Sequence, residues 1–164
     1  MIKGLGLGTT DVLEVCQSVK LSCAEMYHYF AELFNADRYS SNFWLRLAME
    51  EENQSKLFAL VVKLHRKSIV GSIQVELIED EVTLLYMRAL LRRVKKHQPS
   101  PEEALLLALD IEKKLEAFMA ENVLKFADQS HEKSCLAISD IGVKRLNSLK
   151  EAYSKVVTDR EATT

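Results

Sequence analysis

Apolar residues along the first third of the chain recur at alternating spacings of four and three. They fall at Val12, Cys16, Val19, Cys23, Met26, Phe30 and Leu33, the seam of a bundle helix sustained over three heptads. Thr10 or Asp11 is placed to cap this helix, which is expected over about 11–35 and is broken by "NADRYSSN". A second seam reads Trp44, Leu47, Glu51, Gln54, Phe58, Val61, His65, in a helix expected over 41–67 with Ser40 or Ser41 as its cap. Two polar residues, Glu51 and Gln54, stand in the middle of that stripe, where apolar side chains belong.

"SPEEALLLAL" opens a further helix, expected over 101–127. Ser100 is the cap, Pro101 takes the first helical position and Glu103 completes a capping box. Its seam reads Leu105, Ala108, Glu112, Leu115, Met119 and Phe126, again interrupted by a carboxylate. The last seam, Leu146, Leu149, Tyr153 and Val156, predicts a helix over 136–158, with Lys150 on its flank and a fraying tail "TDREATT". Between the second and third long stripes, "EDEVTLLYMRALLRRVKKH" predicts one short helix over 79–97, with acids at its start and bases at its end. "GSIQVEL" alternates as a strand would, but a lone strand without a partner is not expected to form. The chain is therefore expected to be all-α. Its 1–164 residues would form a single domain, an antiparallel four-helix bundle whose two hairpins are joined by a long crossover carrying a short extra helix.

Composition narrows the picture without changing it. Lys and Arg number 22 against 24 Asp and Glu, a net charge of −2. Such a balance provides no global field for nucleic acid or an anionic membrane, and neither is expected as a partner. The longest aliphatic run, "ALLLAL", is too short to cross a bilayer, and no secretory signal is recognisable. Cys16, Cys23 and Cys135 have no metal-binding spacing and read as reduced thiols of a cytoplasmic protein.

Three motifs together resemble the rubrerythrin-like branch of the ferritin-like superfamily: "EMYHYF" at 25–30, "LAMEEENQ" at 47–54, and "SPEEAL" followed by Ala108 and Glu112. The resemblance covers about 11–157 and implies a ferritin-like bundle, without the rubredoxin module of full rubrerythrins. It also implies a di-iron oxidoreductase or peroxidase site, with one Glu from each of two helices and a Glu-x-x-His from each of the other two. Carried onto this chain, the six ligand positions fall on Cys23, Glu51, Gln54, Glu112, Lys150 and Tyr153. Only Glu51 and Glu112 are metal ligands of the expected type. Two carboxylates neutralise and coordinate too little for two iron ions, and an ammonium among them repels cations. The expectation is a metal-free polar knot of Glu51, Gln54, Glu112, Lys150 and Tyr153, with Lys150 as counter-ion, no cofactor and no catalytic residue. The alternative is an iron enzyme that uses Glu51 and Glu112.

The remaining candidates are weaker. Glu25 and His28 form a literal E-x-x-H but face away from the first seam, and Cys23 reads as a small core hydrophobe. His65 closes the second seam and reads as a satisfied core-edge histidine, and "DQSH" at 128–131 reads as a loop. The iron-enzyme alternative would call on His28, His65 or His131 in a different register, and "RRVKKH" reads as a helix C-terminus. A non-catalytic interaction or assembly protein, paired as a homodimer through outer residues such as Phe43, Leu60, Val62 and Leu64, is the expected function. A module sequestering a small apolar ligand is a third reading, for which no pocket is legible in the sequence.

Overall fold

The computed structural model describes the backbone over residues 9–66, 77–122 and 129–164, and side chains over 14–60, 63, 83–116 and 141–164. These residues are all-α, with five helices and no strand among them: α1 (Thr9–Leu33), α2 (Arg38–Arg66), α3 (Leu77–Lys96), α4 (Pro101–Asn122) and α5 (Gln129–Ala162). The "GSIQVEL" alternation and residues 123–128 lie largely or wholly outside the described residues.

Contacts between named side chains fix the directions of the helices. Lys20 meets Glu51, Tyr27 meets Trp44 and Ser41 bonds to Ala31, so α1 and α2 are antiparallel. Glu112 meets Arg145 and Glu102 meets Arg160, which makes α4 and α5 antiparallel as well. Arg145 reaches Glu51 while Lys155 lies over Tyr39, so α2 and α5 are also antiparallel. It follows that α2 and α4 run the same way, and the chain must return along the bundle between them. α3 lies on that return. Its end reaches α1 through the Tyr29 hydroxyl, which donates to the Val94 carbonyl at 3.4 Å, and through Lys95–Glu25 at 2.8 Å. Its middle reaches α4 through Tyr86, beside Asp110 and Lys114.

The boundaries differ from the periodicity in instructive ways. α2 starts at Arg38, not at Ser41, because Asp37 supplies the cap: its carboxylate accepts from the Tyr39 and Ser40 amides at 3.1 and 3.2 Å. The hydrogen bonds from Ser40 and from these amides hold the Asp37 carboxyl below its ordinary range. α4 starts as expected. The Glu103 amide donates to Ser100 Oγ at 3.2 Å, and the Ser100 amide donates to the Glu103 carboxylate at 2.8 Å, the reciprocal pair of a capping box. α5 begins seven residues earlier than expected and continues to Ala162, so the tail is helical and not frayed. The chain there is held by Arg160, which donates to Glu102 at 2.9 Å. Gly142 is accommodated inside α5, with open space where a Cβ would point.

One cluster of buried apolar side chains draws on all five helices, from Val19, Met26 and Phe30 through Trp44, Leu47, Met87 and Val94 to Leu105, Ile111 and Leu149. The predicted seams supply most of it. At one end it is aromatic, with Trp44 packed against Phe30, Phe43 and Tyr27 at ring-centroid distances of 4.9, 5.3 and 5.6 Å.

Candidate functional site

Midway along the bundle the apolar packing gives way to a buried polar centre. Glu51 comes from α2 and Glu112 from α4, both at seam positions and both almost fully buried. Helical spacing brings Gln54 onto the same face of α2 one turn later. Buried carboxylates require counter-charge, and the structure provides it from α5 and α1. Arg145, whose side chain is wholly buried, donates from Nη1 to Glu51 Oε1 at 2.6 Å and to Glu112 Oε2 at 3.2 Å. Its Nη2 donates to Gln54 Oε1 at 3.1 Å, and its Nε to the more exposed Glu50 at 3.3 Å. Lys20 Nζ stands 3.2 Å from Glu51 Oε2. That contact is an ion pair without hydrogen-bond geometry, since the same oxygen accepts no hydrogen bond. The Tyr27 hydroxyl completes the set by donating to Glu112 Oε1 at 2.7 Å.

Two cations thus oppose two carboxylates in the bundle interior, and the planar guanidinium spans three helices in a way no single-point charge could. Burial pushes Glu51 up to about 7, with Lys20 and Arg145 pulling the other way and Glu112 adding to the rise. At Glu112 burial is again the largest influence, but Arg145, Lys20, the neighbouring Glu51 and the Tyr27 hydrogen bond together outweigh it and hold the carboxyl below its ordinary range. Burial also drives the Tyr27 hydroxyl and the Cys23 thiol well above their ordinary ranges, with the nearby carboxylates adding to both. Both stay protonated at neutral pH. A buried neutral thiol is a poor nucleophile and a poor metal ligand, so Cys23 serves as a small core residue.

The sequence-predicted residues are therefore only partly brought together. Cys23, Glu51, Gln54 and Glu112 meet at this centre. Lys150 does not: it is exposed on α5, and the expectation that it neutralises the carboxylates is corrected to Arg145. The reason is register. Leu149 is fully buried, and the next residue turns about 100° away from it, whereas Arg145 lies one turn before Leu149 on the same face. Tyr153 is partly buried against the apolar core, eight residues or about 12 Å along the axis from Arg145. Three residues went unrecognised from sequence: Arg145, Lys20 and Tyr27. Each flanks a seam position, and the demand of two buried carboxylates for two buried cations is the signal that could have found the first two.

Glu25 and His28 stand away from the centre, as their phase on α1 required. Glu25 pairs with Lys95, and His28 Nε2 lies 2.7 Å from Glu52 on the half-exposed side of α1 and α2. The bases of "RRVKKH" are exposed in the last turns of α3. Cys16 and Cys23 are both buried. The side chains of His65, His131 and Cys135 lie outside the described residues.

These residues do not fit a di-iron centre. The guanidinium nitrogen occupies the position between the two carboxylates that a bridging cation would need, and Lys20 sits against the other oxygen of Glu51. Among the described residues no group of three or more His, Cys, Asp or Glu side chains is gathered for a metal. Because charges already balance, adding a divalent cation would leave Arg145 and Lys20 buried against like charge.

The raised Glu51 carboxyl carries a pH dependence. Between its ordinary value near 4.5 and about 7 the folded chain holds a proton that the unfolded chain has released. Its contribution to stability is therefore complete below about 4.5 and is lost as pH rises through about 7, a change on the order of a few kcal/mol. Glu112 acts in the opposite sense, its contribution being lost as pH falls through its depressed folded value. Urea unfolding from pH 5 to 8 is expected to give a falling stability that is distinctly flatter in Glu51→Gln. Identical pH slopes in the two proteins would show that Glu51 is ionised throughout.

No described helix is long and apolar enough to cross a membrane. Compared with known proteins, the chain matches no family model, no curated protein and no solved structure.

Proposed function

We propose that this chain is a non-catalytic ferritin-like bundle, related to the rubrerythrin type, in which an ion-pair core stands where a di-iron site would be and which serves an interaction or assembly role. The observation that carries this reading is Arg145, a wholly buried guanidinium bonded at once to Glu51, Glu112 and Gln54. The parallel course of α2 and α4, with α3 on the return between them, supports ferritin-like connectivity. A homodimer is the assembly proposed. Of the outer residues expected to serve it, Leu60 is exposed, Phe43 is turned partly into the core, and Val62 and Leu64 lie outside the described side chains. Leu45 and Met49 extend the exposed apolar line along α2.

Elemental analysis of protein produced with iron, manganese and zinc supplied tests the first half of the proposal. Sub-stoichiometric metal is expected, together with no near-ultraviolet or visible iron–oxo band after aerobic iron loading. Near-stoichiometric metal that disappears in Glu51→Ala would overturn it in favour of the oxidoreductase. Light scattering at high concentration tests the second half, where a strictly monomeric species would remove the dimer.

A further inference from the structure

At the aromatic end of the bundle, away from the polar centre, the α1–α2 turn, the start of α4 and the late turns of α5 enclose a cavity of about 210 Å³. Four aromatic side chains, Phe34, Tyr39, Phe43 and Trp44, line it. Its charged lining is two carboxylates, Asp37 and Asp159, against one ammonium, Lys155. The ammonium of Lys155 lies 5.0 Å from the centroid of the Tyr39 ring, within the range of a cation–π contact. The chain's own side chain thus shows what this ring face attracts. Asp37 is ionised, because its cap hydrogen bonds stabilise the carboxylate.

We infer that this end cavity is a binding site for a small organic cation of the alkylated ammonium class, taken up between the aromatic faces and the Asp37 and Asp159 carboxylates in place of the Lys155 ammonium. Aromatic faces present negative quadrupole to a cation, and an alkylated ammonium needs no hydrogen bonds from walls that are mostly carbon. The lining's excess of one negative charge favours a cation over an anion, and the volume suits a compact headgroup. Lys155 holds the position in the free chain and swings into solvent when a ligand arrives, because its long stem is exposed.

Trp44 is the chain's single tryptophan and lies in the wall, so its emission reads occupancy directly. Choline is the probe, compared with its carbon isostere, in which a quaternary carbon replaces the nitrogen, and with the carboxylate of the same tert-butyl shape. A saturable shift is expected with choline, roughly three- to thirtyfold tighter than with the carbon isostere. Tyr39→Ala, at a residue 70% exposed whose loss leaves the core intact, is expected to weaken choline binding severalfold. Lys155→Met is expected to tighten it by removing the competing ammonium. No saturable shift in either the wild-type chain or Lys155→Met overturns the inference. Equal binding of the carbon isostere also overturns it, marking the cavity as merely apolar, and preferential binding of the carboxylate would make it an anion site.

Discussion

Replacing Arg145 with methionine is expected to lower the unfolding free energy by about 3–5 kcal/mol, read by urea denaturation at pH 7.5–8. The substitution keeps most of the side-chain volume but removes the bonds to Glu51 at 2.6 Å, Glu112 at 3.2 Å and Gln54 at 3.1 Å. Two buried carboxylates then face Lys20 alone. Part of the penalty is escaped by taking up a proton, so the loss is expected to shrink toward pH 5, where a neutral carboxyl is less costly to bury. A second substitution separates this account from simple loss of packing. Glu112→Gln alone leaves two buried cations against one carboxylate and is expected to destabilise. In the Arg145→Met background the same change restores one cation against one carboxylate, Lys20 with Glu51 at 3.2 Å, and is expected to recover part of the lost stability. The change of sign is the diagnostic result, since contacting charges couple strongly in such cycles. Additive losses would mean that Arg145 stabilises through its hydrocarbon and shape, not through charge.

The centre was legible in the sequence on one side and not on the other, for a physical reason. A carboxylate in the middle of an apolar stripe is conspicuous, which is why Glu51 and Glu112 stood out from the spacing of Leu47, Phe58, Ala108 and Leu115. Their partners are not conspicuous. Lys20 and Arg145 have long side chains that leave a seam flank and carry charge to a point several ångströms away. On paper each looks like the solvated edge of its helix. The α5 register made this worse, because "SHEKSCLAISDIGVK" has weak helix formers and a glycine, and Lys150 and Arg145 are five residues apart on opposite sides of Leu149. The hairpin itself offered a check. A turn near residue 36 pairs Tyr27 with Trp44 and therefore Lys20 with Glu51, so the level of each residue follows from its distance to the turn. The helix caps were legible where a single motif dominated, as at Ser100. They were misplaced where Asp37, Ser40 and Ser41 competed within five residues. The helical tail was missed because its anchor, Arg160 on Glu102, is a contact between residues far apart in sequence.

Phe30→Ala is expected to cost a similar amount, about 3–5 kcal/mol, but with different consequences. Phe30 is fully buried and holds Trp44 at 4.9 Å in an edge-on contact, with Phe34 at 6.2 Å and Tyr29 at 6.1 Å around it. Truncation leaves a void that large, interlocked rings on α1 and α2 cannot close by small shifts. For a domain whose whole stability is about 5–15 kcal/mol, either variant would stand close to unfolding at ambient temperature. Their rescues differ. The Phe30→Ala loss is expected to vary little with pH between 5 and 8, because it removes an apolar ring and leaves the bonds of Arg145 in place, whereas the Arg145→Met loss varies over that range. Glu112→Gln is expected to worsen Phe30→Ala, as it worsens the wild-type chain, while helping Arg145→Met. Conversely, an apolar void of aromatic shape binds benzene, and a ligand that binds only the folded state raises its stability by mass action. Benzene is therefore expected to raise the melting temperature of Phe30→Ala and leave that of Arg145→Met unmoved. A benzene response in both would place a void at the polar centre too, and would mean that the guanidinium there is replaceable filler and not the counter-charge that holds α2, α4 and α5 together.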